Sequence, residues 1–205
     1  MVQTGGLTRA RIESRLRAFD AVTVPLADRR AAAVVIAVMR GEGDVPVFPL
    51  TRRPATMRAH AGQFALPGGR LDEGESARDA ALRELREELG VAVGPENVLG
   101  RLDDYVTRSG YVMTPFVVWS DDTVGALVPN PDEVALVHAV PLDELDVPTE
   151  YATLPGSPEA VACWPFRGEH IHAPTGAVIH QFCEVVLHGR ATRVAAFAQP
   201  SFAWR

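Results

Sequence analysis

A group of glutamates at helical spacing is the part of this sequence best suited to chemistry. Glu84, Glu87 and Glu88 lie in the segment ALRELREELG, whose residue types favour a helix. Ser76 is a suitable N-cap, so we expect this helix to begin near Ala77. At separations of three and four residues the carboxylates share one helical face and repel one another. Either this is an ordinary solvated face, or a hard divalent cation such as Mg²⁺ removes the repulsion.

The loop before this helix extends the pattern. The segment Gly69–Val91 matches G-x5-E-x7-R-E-U-x-E-E-x-G-U, where U is aliphatic, at every fixed position. This is the signature of the Nudix hydrolases, and the chain closely resembles that family here. The matching residues are Gly69, Glu75, Arg83, Glu84, Leu85, Glu87, Glu88, Gly90 and Val91.

The resemblance implies hydrolysis of a nucleoside diphosphate linked to another group, with Mg²⁺ or Mn²⁺ as the cofactor. It implies that Glu84 and Glu88 are the main metal ligands, together with the backbone carbonyl of Gly68. Glu87 would be a further ligand or the base that acts through water. Four residues are expected to have a structural role in the motif, namely Gly69, Glu75, Arg83 and Gly90.

The expected chemistry agrees with these roles. Metal ions neutralise phosphate oxygens, lower the pKa of a bound water and align it for in-line attack on phosphorus. A nearby carboxylate can accept the proton that this water loses. The resemblance implies that Arg83 holds the loop by pairing with Glu75. Gly68 and Gly69 would let the backbone approach the metal and the phosphates closely.

A second motif just upstream narrows the expected substrate. The segment Leu50–Gly69 resembles the extra signature of the coenzyme A diphosphatase branch, roughly L-L-T-x-R-S-x-x-x-R-x-H-x-G-Q-x-x-F-P-G-G. Pro49, Pro54 and Leu66 depart from that signature. The residues that match are Thr51, Arg53, Arg58, His60, Gly62, Gln63, Pro67, Gly68 and Gly69. The resemblance implies cleavage of coenzyme A, or of a derivative, into phosphopantetheine and 3′,5′-ADP.

The side chains of this motif suit an anionic substrate. Arg53, Arg58, His60 and Gln63 are the candidate substrate-binding residues, because arginine grips phosphate oxygens with a planar fork. The departures keep a second hypothesis open, in which the same chemistry acts on ADP-ribose, a dinucleoside polyphosphate or a nucleoside triphosphate. A third hypothesis is a nucleotide-sensing module without catalysis, which the complete set of signature glutamates disfavours.

Two later segments resemble the family more weakly. Pro129–Leu145 is similar to the segment that brings a further acidic residue towards the site, and Glu133 is the candidate for this catalytic carboxylate. Ile171–Ile179 is similar to the region that opens the last helix, with His172 in place of a tryptophan. Pro174 suits the first turn of that helix.

Length and composition predict one globular domain over residues 1–205. The net charge of −6 disfavours a nucleic-acid polymer as partner. No apolar run reaches the length of a membrane span and no leader precedes the first helix, so we expect no membrane partner. Two cysteines, Cys163 and Cys183, favour a reducing, cytoplasmic location. A homodimer is left open.

Hydrophobic periodicity predicts the elements that must position these residues. We expect an N-terminal helix at Thr8–Phe19, a final helix at Thr175–His188, and a C-terminal tail over about 190–205 that packs on the core. Asp143–Arg167 is expected to be a long loop. The strands and the helical turn are expected at Ala31–Met39, Pro46–Thr51, Val98–Tyr105, Tyr111–Trp119, Glu133–Val140 and Pro141–Leu145. Strands with helices before and after them indicate an α/β protein, an α/β/α sandwich with a mixed β-sheet, which the resemblance also implies.

Overall fold

The computed structural model describes residues 7–56, 60–153 and 160–200. The helices are α1 (Arg9–Ala18), α2 (Ala77–Leu89) and α3 (Thr175–Phe182), and α3 continues as a π-helix over Cys183–His188. The strands are β1 (Arg30–Arg40), β2 (Pro46–Arg52), β3 (Phe64–Ala65), β4 (Gly68–Arg70), β5 (Val98–Arg101), β6 (Tyr105–Val106), β7 (Tyr111–Thr123), β8 (Leu136–Pro141), β9 (Glu150–Thr153), β10 (Ala160–Phe166) and β11 (Glu169–His172).

A mixed sheet forms the centre of the protein. Strand β1 runs parallel to β7 and antiparallel to β2 and β4. On one side β5 and β6 pair with β7, and on the other β3 and β8 pair with β2. The long parallel pairing of β1 with β7 begins at Arg30 opposite Tyr111, and β4 pairs with β1 from Ala32 to Val34.

Alternate residues of β1 face two different hydrophobic layers. One layer joins β1 to α2, and its members include Ala33, Val35, Ala37, Met39, Ala80, Ala81, Leu85 and Leu89. The other layer joins β1 to α1 and α3, and its members include Ile36, Val38, Ile12, Leu16, Ile179 and Phe182. Because the side chains of a strand alternate between its two faces, β1 packs against helices on both sides. The predicted α/β/α sandwich with a mixed sheet is confirmed.

The two strands predicted at Val98–Tyr105 and Tyr111–Trp119 form an antiparallel hairpin, but the first of them is confirmed only in part. Tyr105 lies opposite Met113, and the turn closes with the Gly110 amide donating to the Thr107 carbonyl at 3.1 Å. The first arm is two short strands, β5 and β6. Between these strands, the carboxylates of Asp103 and Asp104 accept hydrogen bonds from the backbone amides of residues 22 and 24.

Two other predicted elements are wrong. The strand expected at Glu133–Val140 begins only at Leu136, because the amides of Glu133 and Val134 donate to Asn130 in a turn. The long loop expected at Asp143–Arg167 instead contributes β9 and β10 to a second, three-stranded sheet with β11.

The last helix and the tail follow the expectation where the structure describes them. The helix ends at Gly189, which has the left-handed conformation (φ 67°) typical of a helix stop. Phe197 packs against the core, and the Tyr105 hydroxyl donates to its carbonyl at 2.6 Å. Phe202 and Trp204 lie outside the described residues. Among the described helices, none has the length and apolar character needed to cross a membrane.

Candidate active site

Helix α2 begins at Ala77, as the sequence predicts, and runs to Leu89. The Ser76 hydroxyl accepts a hydrogen bond from the Asp79 amide at 3.2 Å, and Gly90 ends the helix with φ 74°. Leu85 and Leu89 are fully buried against the sheet. This packing fixes the rotation of the helix, so that Glu88 is buried with only 4% of its surface exposed.

Arg83 connects the loop to the helix and to two of the glutamates. Its guanidinium donates to both carboxylate oxygens of Glu75, at 2.9 and 3.0 Å, and to the carbonyl of Arg70 at 3.0 Å. Its Nη1 also donates to Glu84 Oε1 and Glu87 Oε2, each at 2.9 Å. The Arg83 hydrogen bonds lower the pKa of Glu75. Arg83 therefore offsets part of the repulsion among the carboxylates.

Glu88 and Glu84 are in environments that disfavour their charged forms. Burial raises the pKa of the Glu88 carboxyl to about 8, although the Gly68 amide donates to Oε1 at 3.4 Å and Arg53 lies near enough to act in the opposite direction. Burial also raises the pKa of Glu84. Without a cation Glu88 is therefore largely protonated at neutral pH, and a bound divalent ion would displace that proton.

The Gly68–Gly69 segment at the start of β4 brings backbone close to these carboxylates. Strand β4 places Gly68 opposite Val34 and Gly69 opposite Ala33. A β-carbon at Gly69 would lie 2.6 Å from Cδ of Glu84, and one at Gly68 would lie 2.7 Å from the α-carbon of Val34. Both contacts are shorter than real β-carbons make. This segment of β4 can therefore lie against both helix α2 and strand β1 only because both residues are glycine.

Glu133 reaches the same group of carboxylates from the loop before β8. The Asn130 amide donates to the Glu88 carbonyl at 2.8 Å, and the Val128 amide donates to the Leu89 carbonyl at 2.9 Å. These bonds dock the loop on the end of α2. The charge of Glu133 contributes to the raised pKa values of Glu84 and Glu88.

A cleft of about 360 Å³ is lined in part by Gly68 and Gly69. Three candidate substrate-binding residues line it, namely Arg53, His60 and Gln63. The Nε atom of Arg53 is buried and has no hydrogen-bond partner, and His60 Nδ1 lies 3.2 Å from Gln63 Oε1. Arg58 lies outside the described residues. A positively charged group with an unused donor at the wall of a cleft suits a phosphate oxygen.

Other walls of this cleft come from residues that the motifs do not include. Arg70, Thr107, Ser109, Tyr111 and Gln199 all line it. The parallel pairing of β1 with β7 places Tyr111 beside the cleft. Gln199 is held by hydrogen bonds to backbone groups of residues 106 and 108. Such residues have no local sequence signal, except that Arg70 directly follows the two glycines.

Comparison with known proteins agrees with this geometry. The family description of the NUDIX domain matches residues 28–160, which include β1, the Gly68–Gly69 segment, α2 and Glu133. The chain belongs to the Nudix family. Its members are hydrolases that generally use divalent metal ions and act on nucleoside diphosphate derivatives.

Similar proteins include an uncharacterized Nudix hydrolase, NudL, of Pectobacterium atrosepticum, which is 38% identical over 165 residues that make up 77% of this chain and 83% of the relative. Nudix hydrolase 3 of Caenorhabditis elegans is 37% identical over 56% of this chain, which spans 49% of that protein. A solved Nudix hydrolase of Alicyclobacillus acidocaldarius has the same fold, with a TM-score of 0.53, 19% identity, and coverage of 76% of this chain and 91% of its own.

The donor set of this Nudix site fits a hard divalent cation. Glu84 and Glu88 offer carboxylate oxygens that burial leaves poorly compensated, and the two glycines leave the backbone open beside them. In the described part of the chain, no three His, Cys, Asp or Glu side chains already converge as a metal-binding group. Arg83 holds one oxygen of Glu84 and one of Glu87, so these two oxygens are already occupied by hydrogen bonds.

Proposed function

We propose that this Nudix hydrolase cleaves the diphosphate bond of coenzyme A, or of a coenzyme A derivative, to phosphopantetheine and 3′,5′-ADP in the presence of Mg²⁺ or Mn²⁺. One observation carries the proposal. The loop that matches the coenzyme A signature and the Gly68–Gly69 segment line the same cleft, so a diphosphate in that cleft would lie against Arg53 and against the glycines that touch the Glu84 and Glu88 carboxylates.

In this proposal the acidic helix holds the metal. Glu84 and Glu88, with the Gly68 carbonyl, are the ligands, and Glu87 joins them after it leaves Arg83. A divalent ion held there would neutralise phosphate oxygens and lower the pKa of a water bound to it. Arg83 keeps the loop and the helix together through its contacts with Glu75.

Two carboxylates are candidates for the base that accepts the water proton. Glu87 is exposed and contacts Arg83, while Glu133 is half-buried on the loop docked against α2. Glu87→Gln and Glu133→Gln separate the two roles, because loss of the base removes the acidic limb of the pH–rate profile. Loss of a ligand instead raises the metal concentration needed for half-maximal rate.

Arg53, Arg58, His60 and Gln63 bind the substrate in this proposal. The buried, unpartnered Nε of Arg53 gives that residue a donor for a phosphate oxygen. His60 and Gln63 contact each other and are positioned as a unit by their turn, in which the Gln63 amide donates to the His60 carbonyl at 3.2 Å.

The test is direct. Coenzyme A is incubated with the protein and Mg²⁺ or Mn²⁺, and the two products are separated by chromatography. We expect turnover that requires the metal and that Glu88→Gln abolishes, while Glu73→Gln, an exposed carboxylate in the preceding loop, keeps it. No cleavage of coenzyme A with any divalent metal would rule out this substrate.

A second candidate is the same chemistry on another nucleotide, such as ADP-ribose, a dinucleoside polyphosphate or a nucleoside triphosphate. Leu66, which replaces a phenylalanine of the signature, is buried in the core beside β4. Pro174, in the segment that departs from the family pattern, lines the cleft directly. A panel of these nucleotides ranked by kcat/KM decides between the candidates, since specificity is the ratio of those values.

A further inference from the structure

Two arginines lie over the ring of one tyrosine at the wall of the cleft. Arg30 on β1 is directly opposite Tyr111 on β7, and its Cζ lies 4.2 Å from the ring centroid. Arg70 on β4 is opposite Ala32, two residues farther along β1, so it projects from the same face of the sheet. The Arg70 Cζ lies 5.5 Å from the same centroid.

Within the part of the chain that the structure describes, no acidic side chain pairs with either of these two arginines. Over residues 7–56, 60–153 and 160–200, no carboxylate forms a salt bridge within 4.0 Å of either guanidinium, whereas Arg83 and Arg101 both contact acids. A tyrosine face attracts cations but carries no negative charge. In a chain of net charge −6, two like charges on one ring without an acid indicate a place for an external anion.

The surroundings of the pair are polar and adjoin the acidic helix. The hydroxyls of Thr107 and Ser109 lie 3.0 Å apart and, with Tyr111, line the cleft. Arg70 directly follows Gly69, and its carbonyl accepts a hydrogen bond from Arg83. An anion held here would therefore lie in the same cleft as the groups that face the scissile diphosphate.

We propose that Arg30 and Arg70 form a second phosphate-binding site, which takes a phosphate monoester of the substrate that is not part of the scissile diphosphate. Two planar guanidinium forks match the oxygens of a terminal phosphate better than those of a bridging one. This proposal rests on the proposed function, because the 3′-phosphate of coenzyme A is such a group. The two arginines thus select nucleotides that carry a 3′-phosphate.

The test compares coenzyme A with 3′-dephospho-coenzyme A. We expect the wild-type kcat/KM to favour coenzyme A by at least about tenfold, which is the effect of one good charge-assisted contact. Arg30→Gln and Arg70→Gln should each lower that ratio, and the double variant should bring it near one. Arg11→Gln, which removes an exposed arginine on α1, should leave the ratio unchanged. Circular dichroism checks that each variant folds.

The outcomes separate this proposal from the proposed function. If coenzyme A is cleaved but the ratio is the same in wild type and double variant, the second phosphate site is wrong and the activity stands. If neither compound is cleaved, calorimetry with adenosine 3′,5′-bisphosphate and adenosine 5′-monophosphate decides. The site is supported if the wild type binds the bisphosphate more tightly than the monophosphate and the double variant does not. Equal affinities of the wild type for the two nucleotides would overturn it.

Discussion

Gly69 lies directly against the carboxylate of Glu84, so that a β-carbon on Gly69 would be 2.6 Å from Glu84 Cδ. The neighbouring Gly68 instead faces backbone, with the α-carbon of Val34 at 2.7 Å from the equivalent position. One glycine thus leaves room for a functional side chain, and the other leaves room for strand β1. The two positions should respond differently to the same substitution.

We expect Gly69→Ala to reduce activity more than stability, because the Glu84 side chain can rotate away from the new methyl group but then leaves its position. The expected loss is about tenfold or more in kcat/KM, with less than about 1 kcal/mol of unfolding free energy. Gly68→Ala should cost about 1–3 kcal/mol, since backbone must shift. Gly125→Ala, which meets no atom closer than 4.0 Å, is the control. Equal melting curves for the Gly68 and Gly69 variants would contradict this assignment.

Glu88→Gln should lose about 100-fold or more in kcat/KM and remain folded. Loss of a residue that only orients a metal ligand already costs about 10–100-fold, so loss of a ligand itself should cost at least as much. The amide keeps the size of the side chain and removes a buried carboxyl whose charged form is disfavoured. Kinetics at saturating Mn²⁺ and a thermal melt measure the two effects. A variant with normal turnover would mean that Glu88 is not a ligand.

Arg83→Lys should destabilise the protein and weaken metal binding together. A lysine ammonium keeps the charge but cannot contact Glu75 with a fork while it also holds Glu84 and Glu87. Hydrogen bonds to charged groups contribute about 1.5–3 kcal/mol, so we expect a loss in that range. Denaturant unfolding and a Mn²⁺ titration check both effects. Arg78→Lys, an exposed arginine of the same helix, should change neither.

The raised pKa of Glu88 predicts how stability depends on pH in the presence of a chelator. Because the folded-state pKa is about 8 against 4.5 for the ordinary group, the native state binds the proton more tightly. The contribution of the Glu88 proton to the unfolding free energy is complete below pH 4.5, and it is lost as pH rises towards and through about 8. We expect the wild-type unfolding free energy to fall from pH 5 to pH 8 more steeply than that of Glu88→Gln. Parallel curves for the two proteins would show that Glu88 ionises normally.

Helix α2 could be predicted from the sequence because its signals are local. Ser76 and Gly90 mark its two ends, and the spacing of Glu84, Glu87 and Glu88 places them together. The contacts of Arg83 with Glu84 and Glu87 could not be predicted, since they depend on side-chain rotamers that the spacing does not determine. These contacts also show that a cation is not the only group that can offset the repulsion.

The second sheet and the cleft walls were beyond sequence analysis for a different reason. In β10 the consecutive residues Val161, Ala162, Cys163 and Trp164 are all buried, so the strand has no alternation to detect. Tyr111 joins the cleft only because β7 pairs in parallel with β1, far away in the sequence. The pairing of two strands that are distant in the sequence cannot be predicted from the residues of either strand alone.

The hydrogen bonds from Val128 and Asn130 to the last carbonyls of α2 have a consequence for how such enzymes diverge. They make the position of Glu133 depend on the length of the connection between β7 and β8. Insertion or deletion of residues in that connection would alter the electric field around the signature glutamates while every signature residue stayed the same. Two chains with identical signatures can therefore differ in metal affinity and rate through a turn that neither signature includes.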